Sequence, residues 1–191
     1  AKDDTTGRAI FMVDAGSGAK IWQAGPAGSA NGSNPNLLLS DMTNSIPADV
    51  TVIDVNADGY ADRMYVGDMR GQLWRFDIDN VSNLSAADLV TGGVIAKLGG
   101  VTAVLNRRFY YSPDVSLAED GSHINIAIGS GYRAHPLDTD VHDAFFVIHD
   151  PNVYAPAVDG GGSPIYTPVI TVSDLYDATS NVIGEGSTSQ I

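Results

Sequence analysis

The chain has 191 residues, of which 43% are apolar and 17% are charged, and it contains no cysteine. The low charge fraction argues against a disordered chain, and the lack of cysteine excludes disulfides, thiolate metal sites and cysteine nucleophiles. Ten lysines and arginines against 23 aspartates and glutamates give a formal net charge of −13, which disfavours nucleic acid as a partner and favours cations.

Short runs of β-branched, aromatic and aliphatic residues predict β-strands joined by turns rich in glycine and proline. The runs are Ala9–Val13, Val50–Val55, Arg63–Gly67, Gln72–Ile78, Phe109–Tyr111, Ile124–Ile128, Phe145–His149 and Pro168–Val172. A short helix is predicted around Ser82–Val90, and surface loops are predicted at Gly25–Asn36 and Asp159–Ser163. The predicted domain covers residues 1–175, and residues 176–191 are predicted to form a flexible tail.

An internal repeat predicts the fold class. It places Asp58-Gly59 on Asp120-Gly121, an offset of 62 residues, and with a small gap it places Val50 on Val115. Each unit reads as a strand, an Asp-Gly turn, a strand that ends in glycine, and a closing strand that ends in aspartate. Sheet units that repeat at this scale are typical of a β-propeller.

Two fragments fit parts of the same unit. Ile10–Asp14 looks like a closing strand without its opening strands, and Pro168–Val172 looks like an opening strand whose unit is not completed. We therefore predict an all-β chain with two full and two incomplete propeller blades and long loop insertions, too few blades to close a ring. A single β-sandwich with chance internal similarity is the alternative.

The stretch from Asp54 to Asp62 reads D-x-N-x-D-G-x-x-D and predicts a calcium site. Ca²⁺ binds about six to eight oxygens, and oxygens at alternate positions converge when the chain curls tightly at a glycine such as Gly59. The predicted ligands are four side chains and one backbone carbonyl: Asp54, Asn56, Asp58, Asp62 and the carbonyl of Tyr60.

The flanks of this loop distinguish it from a full EF-hand. Tyr65 stands where the EF-hand has its bidentate glutamate, and both flanks read as strands rather than helices. An ordinary turn rich in Asp and Asn is the alternative to a metal site. The second repeat keeps Asp120 but aligns Ser116, Ala118 and Ile124 with the other acidic or amide positions, so the turn alone does not require them.

Other clusters indicate chemistry less specifically. The loop from His135 to Asp143 contains two histidines and three aspartates, which would suit zinc, but the spacing matches no standard zinc pattern and favours a polar insertion. Trp22 and Trp74 fit blade-packing aromatics, with a stacking platform for a quinone or sugar as the alternative. No nucleophile-elbow motif is present, and we predict that the chain is not an enzyme.

Two longer segments carry a family resemblance. DVNADGYADRMYVGDMRGQLWRFDI, followed by AIGSGYRAHPLDTDVHDAFFVIHD, resembles the C-terminal, quinoprotein-like β-propeller domain of the PilC family, the tip-associated proteins of type IV pili. The resemblance spans about Gly7 to Asp150. It implies an exported protein at the bacterial cell surface, outer membrane or pilus tip, with calcium bound by the loop Asp54–Asp62.

The same resemblance implies partners and a role. It implies contact with the pilus tip or minor pilins, a possible host-surface receptor, and action in pilus assembly, attachment and calcium-dependent control of extension and retraction. Two alternatives are a quinoprotein-like dehydrogenase propeller and an integrin-like surface receptor domain, whose blades also carry compact calcium loops.

Overall fold

The computed structural model describes residues 6–80 and 85–180. Within these residues the chain forms thirteen β-strands and one short 3₁₀ helix at Val172–Asp174. The strands are β1 (Ile10–Val13), β2 (Lys20–Gly25), β3 (Leu37–Leu38), β4 (Thr51–Ile53), β5 (Arg63–Gly67), β6 (Gln72–Ile78), β7 (Val90–Lys97), β8 (Asp114–Leu117), β9 (Ile124–Gly129), β10 (Phe145–Asp150), β11 (Ala157–Val158), β12 (Pro164–Ile165) and β13 (Ile170–Thr171). Among the described residues, no helix has the length and apolar character to cross a membrane.

These strands form four separate sheets. The first sheet has the order β1-β2-β3, the central sheet β13-β7-β6-β5-β4, and the third sheet β10-β9-β8, while β11 and β12 pair as a small hairpin. Neighbours are antiparallel except for β2 with β3 and β7 with β13. The prediction of an all-β fold is confirmed.

The central sheet is buried on both of its faces. Successive side chains of a strand point to opposite sides of the sheet, and Tyr65 and Leu73 pack in one apolar cluster with Ile126 of the third sheet. Met64 and Phe76 pack on the opposite side with residues of the first sheet, Trp22 among them. The central sheet therefore lies between the other two, which explains why β5 and β6 are apolar on both faces.

The predicted repeat is present as two three-stranded units, β4-β5-β6 and β8-β9-β10, but its register differs from the prediction. Met64 of β5 pairs with Val52, and the corresponding Ile126 of β9 pairs with Val115. Val115 thus corresponds to Val52 and not to Val50. The second hairpin loop is one residue shorter, so Leu117, rather than Ser116, takes the place of Asp54.

Two predicted elements are wrong in the described residues. Phe109–Tyr111 is not a strand; Phe109 is held in the core instead, where its backbone N donates to the Asp68 carbonyl at 3.1 Å. The described part of the predicted helix, Ser85–Leu89, is a turn that leads into β7 at Val90. The start of that helix, residues 82–84, and residues 181–191 of the predicted tail lie outside the described residues.

The final predicted strand is shorter than expected and has a different role. Only Ile170–Thr171 of Pro168–Val172 is extended, and it pairs in parallel with Ala96 and Lys97 of β7. It therefore extends the edge of the central sheet.

Candidate functional site

The loop from Asp54 to Asp62 connects β4 to β5 at the edge of the central sheet. Its ends are fixed by the last pair of the ladder, Ile53 with Arg63, and by the Asp62 backbone N, which donates to the Ile53 carbonyl at 2.9 Å. Ile78 of β6 also donates its backbone N to the Asp62 carbonyl at 2.8 Å. Three strands therefore hold a short exposed loop that is rich in oxygen atoms.

The first half of the loop is organised by side-chain oxygens that accept backbone N–H groups. Asp54 accepts from Asp58 at 3.2 Å and, with its other oxygen, from Gly59 at 2.8 Å. Asn56 Oδ1 accepts from the same Asp58 N–H at 2.9 Å. Asp58 Oδ1 accepts from Tyr60 at 2.9 Å. The side-chain oxygens of Asp54 and Asn56 thus meet at one amide, which brings two predicted ligands together.

Asp62 closes the loop from its other end. Its Oδ2 accepts the backbone N–H of Val55 at 2.8 Å and of Asn56 at 3.2 Å, so its carboxylate reaches back across the loop. Asn80, which follows β6, donates to the Ala61 carbonyl at 2.6 Å. The carboxylates of Asp54 and Asp62 therefore bind the two ends of the same curled segment.

The curl needs two residues with positive φ. Gly59 has φ 92° and Ala57 has φ 61°. A Cβ at Gly59 would meet no other atom within 4 Å, so glycine is required there for its backbone conformation and not for space. The left-handed conformation costs Ala57 roughly 1–2 kcal/mol, which the side-chain hydrogen bonds around it offset.

The donor set of this loop fits a hard dication in its chemistry. Three carboxylates and one amide supply only oxygen, the ligand type that Ca²⁺ prefers. In the described residues, however, no three histidine or acidic side chains are grouped closely enough to hold a metal ion. The carboxylate oxygens of Asp54 and Asp62 instead accept hydrogen bonds from backbone amides. A carboxylate has about four lone-pair positions, so these bonds leave further oxygen lone pairs for a cation.

The corresponding loop of the third sheet has a different composition. Asp120 Oδ1 accepts from the Oγ of Ser122 at 2.6 Å and from its backbone N at 3.0 Å, and these hydrogen bonds hold the pKa of Asp120 below its ordinary value. Leu117, which pairs with Ile124, stands at the position that corresponds to Asp54. This loop keeps its turn with one aspartate, as the sequence predicts.

In the histidine-containing loop that follows β9, too, no three histidine or acidic side chains of the described residues are grouped closely enough to hold a metal ion. His135 lies against the ring of Tyr132, at 4.8 Å between centroids. Asp138 accepts the backbone N–H of Asp140 at 2.9 Å, and Asp143 accepts from Ser130 Oγ at 2.7 Å. Asp138 thus stabilises a local turn, and Asp143 joins the two ends of the loop.

Sequence reasoning missed a buried ion network between the central and third sheets. Arg75 binds both carboxylate oxygens of Asp150 at 2.9 and 2.8 Å, and Arg63 binds Asp77 at 2.8 Å. Asp77 also accepts from Arg75 at 2.8 Å. Tyr65 donates to Asp150 at 2.7 Å, and burial, followed by the nearby Asp150 charge, raises the pKa of Tyr65 above its ordinary value.

The two tryptophans are core residues, as predicted, and not a stacking platform. Trp22 and Trp74 are 0% and 1% exposed, so neither ring presents a face to a ligand. Trp74 Nε1 donates to Asp68 at 3.0 Å. Asp68 is itself buried in the turn between β5 and β6, and this burial raises its pKa to about 6.

No protein-family model matches the sequence, and no curated protein matches it. Among solved structures, the chain is similar to the crystal structure of the Pseudomonas aeruginosa PilY1 C-terminal domain, with a TM-score of 0.56 and 19% sequence identity. The similarity covers 80% of this chain and 33% of that structure, so the chain spans about a third of the length of the structure it matches. At this identity the similarity concerns the fold alone.

Proposed function

We propose that this chain is a calcium-binding, non-enzymatic module of a surface protein of the type IV pilus system. The loop Asp54–Asp62 carries the proposal, because it places four oxygen-bearing side chains in one curled hairpin connection fixed by three strands. The motif resemblance to the PilC family and the similarity in fold to the PilY1 C-terminal domain support the biological setting.

The module is proposed to be a section of a β-propeller. Two observations support this proposal. The unit β4-β5-β6 is repeated in β8-β9-β10, and three sheets pack face to face around two apolar clusters. Packed sheets of this kind are what the blades of a propeller provide.

Calcium would act on the local surface of the module. Bound by Asp54, Asn56, Asp58, Asp62 and the Tyr60 carbonyl, it would supply positive charge that offsets the mutual repulsion of three carboxylates. The loop would then be held in one conformation. Calcium would therefore strengthen the binding of a partner that prefers this conformation. The proposed partners are minor pilins or the pilus tip and a host-surface receptor, and the proposed location is the cell surface, outer membrane or pilus tip.

A calorimetric titration of the metal-stripped protein tests the site. We expect one calcium ion to bind per chain, with zinc binding more weakly, because the ligand set has no thiolate. Calcium at a hundredfold excess over its dissociation constant should stabilise the folded chain by about 2.7 kcal/mol, which a thermal melt can detect. Absence of binding heat at millimolar calcium, or a preference for zinc, contradicts the proposal.

An absorption spectrum of the purified protein tests the non-enzymatic part separately. A bound quinone absorbs at wavelengths where protein does not, and its presence would favour the dehydrogenase alternative.

A further inference from the structure

A polar cleft lies where three segments of the chain meet. It is at the opposite end of β5 and β6 from the loop Asp54–Asp62. It is lined by Ser40, Asp41 and Thr43 after β3, by Arg70 and Gln72 at the turn between β5 and β6, and by Lys97 at the end of β7. Its volume is about 270 Å³. Neither the calcium loop nor the core clusters account for this cleft.

The charge of the cleft differs from that of the rest of the chain. Two of the ten lysines and arginines line it, on a chain whose formal net charge is −13. Lys97 Nζ lies 2.9 Å from Asp41 Oδ2, and the two side chains are 45% and 57% exposed. An ion pair with this exposure is weak, so an incoming anion can compete with Asp41 for the lysine.

The floor of the cleft is fixed by close contact between two backbone segments. A Cβ at Gly99 would collide with the Arg70 carbonyl, and one at Gly71 would lie 2.7 Å from the Gly99 nitrogen. The Leu98 backbone N also donates to the Gly71 carbonyl at 2.8 Å. These contacts hold the segments that carry Arg70 and Lys97 at a constant separation.

One polar group of the lining has no partner. Gln72 is 4% exposed, and its Oε1 accepts no hydrogen bond within the described residues. Leaving a buried acceptor unsatisfied is unfavourable. Because this oxygen is itself buried, Gln72 packs the wall of the cleft and the groups open to a ligand are those of the charged and hydroxyl side chains.

We propose that this cleft binds a small organic anion that also carries hydroxyl groups, the chemistry of an acidic sugar such as a uronic acid. Arg70 and Lys97 would bind the carboxylate through charge-assisted hydrogen bonds. Asp41 would accept from ligand hydroxyls, and the hydroxyls of Ser40 and Thr43 would donate or accept. The proposal goes beyond the calcium module and does not depend on the calcium loop.

Titration of the isotope-labelled, metal-stripped chain with sodium glucuronate, followed by NMR, tests this site. We expect saturable shifts of backbone amides around Arg70 and Lys97, and binding by glucose at least about tenfold weaker, because glucose lacks the carboxylate. Combined Arg70→Gln and Lys97→Met substitution should weaken glucuronate binding at least about tenfold. Lys20→Met, a lysine of the first sheet, should leave it unchanged.

Several outcomes overturn the proposal. They are the absence of saturable shifts in the wild-type chain, glucose binding as tightly as glucuronate, inorganic phosphate binding as tightly as glucuronate, or wild-type affinity in the double variant. The ligand comparisons use the wild-type chain, so they remain decisive if the double variant does not fold. Stripping the metal separates this test from any calcium effect.

Discussion

Asp58 and Asp120 each precede a glycine in the connection between two corresponding strands, yet their surroundings differ. Asp54 and Asn56 both accept hydrogen bonds from the Asp58 backbone N–H, whereas the Asp120 side chain accepts hydrogen bonds from Ser122, and Leu117 stands at the position that corresponds to Asp54. We expect Asp58→Ala to abolish calcium binding in a calorimetric titration and Asp120→Ala to leave it unchanged. Equal loss in the two variants would mean that the second loop is also a site.

Asp68 should make the stability of the chain depend on pH. Burial raises its pKa from 3.8 to about 6, so the folded state holds the proton more tightly than the unfolded state. The stability that this group contributes is therefore complete below about pH 4 and is lost as the pH rises through 6. The loss should amount to about 3 kcal/mol, because each pKa unit is worth about 1.36 kcal/mol.

Asp68→Asn removes this titration and provides the comparison. Urea unfolding of both chains at pH 4 to 7 should show wild type losing stability relative to the variant as the pH rises. The exposed aspartates whose pKa is lowered, such as Asp14 and Asp159, titrate in both chains and cancel in the difference. Parallel pH profiles for the two chains would contradict the expectation.

At the residue scale, the sequence predicted groups of residues that are close along the chain but not contacts between residues that are far apart. The oxygen-bearing positions of the proposed calcium loop lie within nine residues, and the hairpin brings Asp54 and Asn56 to the Asp58 amide while Asp62 accepts from Val55 and Asn56 at the other end of the loop. The partners Arg75 and Asp150 are 75 residues apart. Arginines that alternate with apolar residues in a strand normally indicate a side that faces solvent. The sequence therefore predicts exposed arginines in β5 and β6, and only the position of the third sheet shows that they are buried and paired.

At the element scale, the ion network should contribute more to stability than a surface pair does. Arg75→Met would leave Asp150 buried without its charge partner and should lower the free energy of unfolding by roughly 3–5 kcal/mol. Lys97→Met breaks the exposed pair with Asp41 and should cost less than about 1 kcal/mol. Urea unfolding measures both. Similar small losses would mean that the network is not a major link between the central and third sheets.

The strand β7 was not predicted from the sequence, and the reason lies in its glycines. β7 contains Gly92 and Gly93, which weaken a strand pattern, yet a Cβ at Gly92 would lie 2.4 Å from the Phe76 ring and one at Gly93 2.9 Å from Tyr166. Close packing requires these glycines, and packing is not visible in local sequence. β5 and β6, which are buried on both faces and rich in β-formers, were predicted with their correct bounds.

At the scale of the whole molecule, the repeat predicted sheet units but not their stacking. The sequence showed that β4-β5-β6 and β8-β9-β10 are similar three-stranded units. How the strands of the two units correspond residue by residue is known only from their observed pairing. The first sheet presents Phe11 and Val13 to solvent, and the third sheet presents Phe145, at 55%, 54% and 70% exposure.

The proposed role of calcium in the whole protein can be tested in the parent organism. We expect combined Asp54→Ala and Asp58→Ala substitution to make piliation and twitching independent of calcium while the protein remains exported and folded. The substitution removes calcium ligands and their mutual repulsion together, and the apolar clusters that hold the sheets contain neither residue. An Asp120→Ala strain is the matched control, since it alters the corresponding turn without removing a proposed ligand. Surface pili, twitching and export would be measured in both strains across calcium concentrations. If the double variant responds to calcium as wild type does, the ion only stabilises the loop, and the proposed control of extension and retraction is wrong.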